Sequence, residues 1–144
     1  MRGKVDSAMK VFISHANEDM AIARRIADGL KKMGLEAWLA ESEILPGENF
    51  AAMISDALDD SQAMVVIITP NALRSPWVRQ EIEYALGKQS YSGRVVPVVA
   101  GPAGEMPSDR IPWILRRLQM IVLPDAEPQD EGIRQIAAAL RKAS

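Results

Sequence analysis

Trp77 and Glu81 stand four residues apart in SPWVRQEIEYAL. On a helix, that spacing places two side chains one above the other on one face. Tyr84 and Lys88 continue the stripe. An aromatic ring beside a carboxylate suits a nucleoside. The ring stacks on a flat base, and the carboxylate accepts hydrogen bonds from ribose hydroxyls or steadies a developing oxocarbenium ion. Spacing alone favours a plainer reading, a surface Trp edge and a solvated Glu. Glu83 is rotated from Glu81 by roughly 200° at 3.6 residues per turn, so it points elsewhere. His15 is the one histidine, and a lone histidine is more often a structural hydrogen-bonding group than a catalyst. Glu41, Glu43 and Glu48 surround Leu45-Pro46-Gly47. They could act as bases, but a solvated loop face is the favoured reading.

Composition removes other chemistries. The chain has 144 residues and no cysteine, so disulfide scaffolds, thiolate zinc sites and cysteine nucleophiles are excluded. A single histidine rules out a multi-histidine metal site. Seventeen Lys+Arg against nineteen Asp+Glu give a net charge of −2, which does not neutralise a nucleic-acid backbone. No apolar run approaches the ~18 residues of a membrane span, and the N-terminus lacks the apolar stretch of a signal peptide. The expectation is a cytoplasmic protein with neither nucleic acid nor membrane among its partners.

The elements that must position Trp77 and Glu81 follow from hydrophobic patterning. MKVFIS (9–14), LEAWL (35–39), AMVVIIT (63–69) and RVVPVV (94–99) read as strands, and 120–123 as a weaker fifth. AMVVIIT is apolar without alternation, as in a parallel strand covered on both faces. Pro70 stops it. Pro97 suggests a local irregularity or an exposed edge in the fourth strand. Asn17 is placed to cap a first helix, whose apolar stripe is Ile22, Ile26, Leu30 and Met33 and whose C′ residue is Gly34. A second helix carries Met53, Ile54, Ala57 and Leu58. Ser75-Pro76 supplies N-cap and N1 of a third, with Val78, Ile82 and Ala85 as its core stripe. A short helix is expected at 112–117. Ile133, Ile136, Ala137 and Leu140 mark the last helix. The alternation predicts one α/β domain over residues 1–144, with its core at about 9–142. Its architecture is a flavodoxin-like three-layer fold: a five-stranded parallel sheet of order 2-1-3-4-5 with helices on both faces.

Ligands of such sheets bind beyond the carboxyl ends of the strands. Here those ends are Ser14-His15-Ala16-Asn17, the loop at 40–48, Thr69-Pro70-Asn71 and the segment after Val99. None carries G-x-G-x-x-G or a P-loop, and no Asp ends the third strand as in a phosphoacceptor receiver.

VFISHANED, GLEAWLAESEILPGENF and AMVVIITPNALRSPWVRQEIEYAL, in this order, resemble the boxes of a Toll/interleukin-1 receptor (TIR) domain. The likeness runs from about residue 9 to about 140. F-I-S-H and S-x-W-x-x-x-E resemble the bacterial members most. Two departures stand out: Ala40-Glu41 where many members have Asp, and His15 where many have Tyr.

The resemblance implies cleavage of NAD⁺ at the nicotinamide–ribose bond, giving nicotinamide and ADP-ribose or a cyclic ADP-ribose isomer. It implies Glu81 as the catalytic carboxylate and His15, Ala16, Asn17, Leu45, Gly47 and Trp77 as the substrate cleft. NAD⁺ would be the substrate, with no resident cofactor and no metal. It implies an assembly surface on the loop after strand two, at Glu43, Leu45, Pro46 and Gly47, with TIR–TIR self-association, contacts with other TIR or effector proteins, and a setting in bacterial antiviral defence. The alternative it implies is a TIR–TIR docking module without turnover, or a decoy of host TIR signalling. A nucleotide sensor that binds without cleaving is a third class.

Overall fold

The computed structural model describes residues 9–39, 50–87, 94–100, 120–123 and 130–142. Five strands form one sheet: β1 (Lys10–Ser14), β2 (Glu36–Trp38), β3 (Ala63–Ile68), β4 (Val95–Ala100) and β5 (Ile121–Leu123). All neighbours are parallel, and the order is β2-β1-β3-β4-β5. This is the predicted 2-1-3-4-5 topology, with β1 and β3 adjacent. The helices are α1 (Met20–Lys32), α2 (Phe50–Asp60), α3 (Pro70–Leu73), α4 (Pro76–Gly87) and α5 (Asp130–Lys142). The expected helix at 112–117 and the loop at 40–48 lie outside the described residues.

Strand alternation sorts the core into two layers. Val11 and Ile13 of β1, with Val65 and Ile67 of β3, face α1 and α5, whose Ile26, Leu30, Ile136 and Leu140 are buried against them. Phe12, Met64, Val66 and Ile68 face the other way, onto Ile54 and Leu58 of α2 and Val78 and Ile82 of α4. All six residues of β3 are buried, which explains the absence of polar alternation in its sequence.

Two termini follow the sequence closely. Gly34 at φ 89° closes α1 in a Schellman motif, with Leu35 N–H on Leu30 C=O (3.0 Å) and Gly34 N–H on Lys31 C=O (3.1 Å). Ser75 caps α4 through its Oγ, which accepts from Val78 N–H at 3.3 Å.

Two expectations are corrected. Asn17 is not the cap of α1. It opens a 3-10 turn, Asn17–Asp19, and Asp19 occupies the N-cap position without a side-chain cap bond. The Asp19 carboxylate is already engaged, accepting a hydrogen bond from Thr69 Oγ1. Pro97 is neither at an edge nor at an irregularity. It is buried in β4, in register with Val66 on β3. Arg94 C=O accepts from Met64 N–H, so the even residues of β4 bond toward β3 and the odd ones toward β5. Pro97 lacks an N–H on the side facing β5, where pairing among the described residues begins at Val98.

Candidate functional site

The sheet order reverses between β1 and β3: the chain leaves β1 toward β2, then returns to place β3 on the other side. A crevice opens at the carboxyl ends of strands that flank such a switch point. Ser14 is the last residue of β1 and shares the parity of Phe12, so its side chain faces the layer of α2 and α4. Glu81 lies on α4, one helical step from the buried Ile82. The two meet, with Ser14 Oγ donating to Glu81 Oε1 at 2.7 Å. Ser14 is fully buried and Glu81 is only 7% exposed. Glu81 is therefore not the solvated surface residue that spacing alone favoured.

Burial pushes the Glu81 carboxyl up to about 7 from its ordinary 4.5, and the Ser14 hydroxyl pulls part of the way back. An isolated buried carboxylate is costly, and carboxyls with such perturbation concentrate where charge does work. Nothing among the described residues donates to Oε2, while Oε1 is held. The site therefore anchors one carboxylate oxygen, in a setting of low polarity where a cation is felt strongly.

A second buried contact braces the same end of the sheet. Thr69, just after β3, donates through Oγ1 to Asp19, at the end of the turn that follows β1. The same Oγ1 accepts from Ala72 N–H at 3.1 Å and caps α3. The carboxyl ends of β1 and β3 are thus tied by side chains as well as by the ladder. Sequence reading placed Ser14 and Thr69 only as strand ends and gave Asp19 no part in the site. The available signal was a hydroxyl residue ending each of two apolar parallel strands.

Of the other anticipated residues, His15 and Ala16 follow directly on Ser14. His15 is half-buried, and its Nδ1 is 2.7 Å from the Ala16 carbonyl oxygen. A carbonyl only accepts, so Nδ1 is the donor in this contact. Ala16 is buried and Asn17 is exposed. Trp77 occupies the second position of α4, and its side chain lies outside the described residues. Glu43, Leu45, Pro46 and Gly47 lie outside them too. Glu83 is exposed, as its rotation from Glu81 requires. Tyr84 donates to Asp59 on α2, so the far end of the stripe ties α4 to its neighbouring helix. Among the described residues, no group of three or more His, Asp and Glu is placed to hold a metal ion. A cavity of about 310 Å³ lies between α2 and the edge strand β2, lined by Lys10, Glu36, Trp38 and Asp60, among others. Lys10 and Glu36 start their strands, so this cavity belongs to the opposite end of the sheet from Glu81.

The model of the TIR domain family matches residues 11–137, and the chain belongs to that family. It is 33% identical over 117 residues to the stimulator of interferon genes protein of Magallana gigas, covering 79% of this chain and 28% of that protein. It is 30% identical over 86 residues to the 2' cyclic ADP-D-ribose synthase BtTIR of Bacteroides thetaiotaomicron, covering 59% of this chain and 30% of that one. Among solved structures it is similar to a metazoan TIR-STING receptor from C. gigas in complex with 2',3'-cGAMP. That match has a TM-score of 0.74 and 30% identity, over 90% of this chain and 38% of the other. The chain thus spans under a third of the length of these two curated relatives. Among the described residues, no helix is long and apolar enough to cross a membrane.

Proposed function

We propose that this chain cleaves the nicotinamide–ribose bond of NAD⁺, releasing nicotinamide and either ADP-ribose or a cyclic ADP-ribose isomer. The observation that carries the reading is the buried Glu81 carboxyl, bonded to Ser14 at the carboxyl end of β1 beside the switch point. The similarity to a cyclic ADP-D-ribose synthase supports the choice of substrate.

The chemistry follows from charge. Nicotinamide carries its positive charge only while bonded to the ribose. When the glycosidic bond breaks, it leaves with the bonding pair as a neutral base and needs no proton. The charge then sits on the ribose as an oxocarbenium ion. The catalytic task is to stabilise that cation, and a preorganised carboxylate in a water-poor site does so more strongly than water can. Glu81 Oε2 would accept from the ribose hydroxyls and face the developing cation. Trp77, one turn earlier on α4, would stack on the substrate. Water then attacks the anomeric carbon and loses a proton to give ADP-ribose, or a hydroxyl of the same molecule attacks and gives the cyclic product. The loop with Leu45, Pro46 and Gly47 would complete the crevice or present it to a second copy, so that activity depends on self-association.

The test is nicotinamide release from NAD⁺ by the concentrated chain, with and without a crowding agent. Glu81→Ala is expected to lower turnover at least 100-fold, the scale seen when one transition-state stabiliser is removed. Glu83→Ala is expected to stay within about threefold of wild type, as an exposed residue outside the crevice. Wild-type turnover from Glu81→Ala would end the assignment. An assembled wild type that releases no nicotinamide would leave the docking module in its place.

A further inference from the structure

We propose that Ser14 is a positioning residue for Glu81: it holds Oε1, so that Oε2 is the oxygen presented to the ligand. The inference rests on the reading of Glu81 as the working carboxylate.

Three features of the structure carry it. First, Ser14 is held by the sheet. Its backbone is in register with Val66 of β3, and its side chain is wholly buried. A serine side chain has one heavy-atom torsion, so little freedom remains in Oγ once the strand is formed. Second, a hydroxyl carries a single proton, and Ser14 gives it to Oε1 at 2.7 Å. A Glu side chain has three torsions and would otherwise sample several carboxylate positions. Holding one oxygen narrows the positions open to the other. Third, the contact joins two elements distant in sequence, the end of β1 and the middle of α4. It therefore sets where the carboxylate stands relative to the strand ends, which neither element does alone.

The same bond has an electrostatic consequence. Burial favours the neutral acid, and a hydroxyl donor favours the anion. A neutral Glu81 has no charge with which to steady a cation. An alanine at position 14 would leave burial unopposed. Ser14 is thus the group that keeps the carboxylate available near neutral pH, and it does so without touching the ligand.

The experiment uses the full chain as wild type, Ser14→Ala and Ser14→Thr, with two readouts. One is the titration midpoint of the Glu81 carboxyl carbon followed by NMR, which needs no turnover. The other is the pH profile of nicotinamide release from NAD⁺. Ser14→Ala is expected to raise the midpoint by about one to two pH units, the worth of one hydrogen bond to a charged group. Turnover at pH 7 should then fall roughly tenfold as the anion becomes scarce, with KM changed much less than kcat. Ser14→Thr retains the hydroxyl and should restore the midpoint. If its added methyl prevents folding, Ser14→Ala decides alone. A folded Ser14→Ala variant with an unmoved midpoint overturns the proposal, because a serine that merely packs would give that result. A wild type that releases no nicotinamide overturns the NAD⁺ reading instead, and the NMR midpoint still decides the role of Ser14.

Discussion

A carboxyl that titrates near 7 leaves two signatures, and they run in opposite directions with pH. Turnover that needs the Glu81 anion should climb as pH rises through about 7. Stability should fall over part of the same range. The native state holds the Glu81 proton from pH 4.5, where the unfolded chain loses it, up to about 7. The unfolded state therefore binds fewer protons in that window, and rising pH favours unfolding. Above the window both states are ionised, and the accumulated loss is about 3 kcal/mol at most. Glu81→Gln keeps the shape and cannot ionise. We expect it to be inactive, to melt higher than wild type at pH 8, and to lose the fall in melting temperature between pH 5 and 8. A Gln variant no more stable than wild type at pH 8 would show that the native carboxylate is not destabilised. The identity of this residue was legible from the Trp77–Glu81 spacing and the motif around it, whereas its burial was not. Helical spacing tells which side chains share a face but is silent on what covers that face. Here the cover comes from β1, with Ser14 67 residues earlier in the chain.

At the scale of elements, α1 and α5 approach each other through Gly29. A Cβ at that position would stand 2.6 Å from Ile133 Cδ1 and 2.7 Å from its Cγ2, closer than packed atoms can come. Gly29→Ala gains about 1 kcal/mol of helix propensity and meets an overpacking cost of ~1–3 kcal/mol. We expect a net loss in urea titration, and a Gly29→Ala/Ile133→Ala double variant more stable than the two single losses summed. Additive losses would mean that the two helices part without strain. The loop proposed to carry assembly makes a different prediction: Gly47→Pro should lower turnover and self-association while the melting temperature holds. Unchanged turnover together with unchanged sedimentation would remove the loop from the mechanism. The long strands and helices were legible because their apolar periodicity is unambiguous. The four-residue α3 was not, since it makes barely one turn and a repeat needs more than one to show. Pro97 misled for a related reason. A proline marks a missing donor, and only the three-dimensional register shows that its strand is interior, between β3 and β5.

For the molecule as a whole, the sheet order places β1 and β3 side by side at its centre, and Glu81, Ser14, Asp19 and Thr69 gather where those strands end. The alternation of strands and helices was enough to anticipate that order, because parallel neighbours need crossovers and crossovers have one favoured hand. The same centre carries a hazard during synthesis and refolding. AMVVII of β3 contains no charge, no proline and no glycine, the composition of a segment that stacks with copies of itself. In the native sheet it is sealed on both faces and both edges. On a growing chain it stays open until Val95–Ala100 has been made to pair with it. Its flanks carry the residues that oppose stacking: Asp59 and Asp60 just before, Pro70 just after. Asp60 is exposed and, among the described residues, pairs with Lys10 at the surface, so it contributes little to the folded state. We expect Asp60→Asn to leave the melting temperature within about 2 °C of wild type. Its refolding yield at high protein concentration should nonetheless fall, with the insoluble fraction binding thioflavin T. Equal yields would show that β4 reaches β3 before a second chain can. The most protected strand of the finished protein is thus the most exposed liability of the unfinished one, and Asp60 beside it serves the making of the fold more than the fold itself.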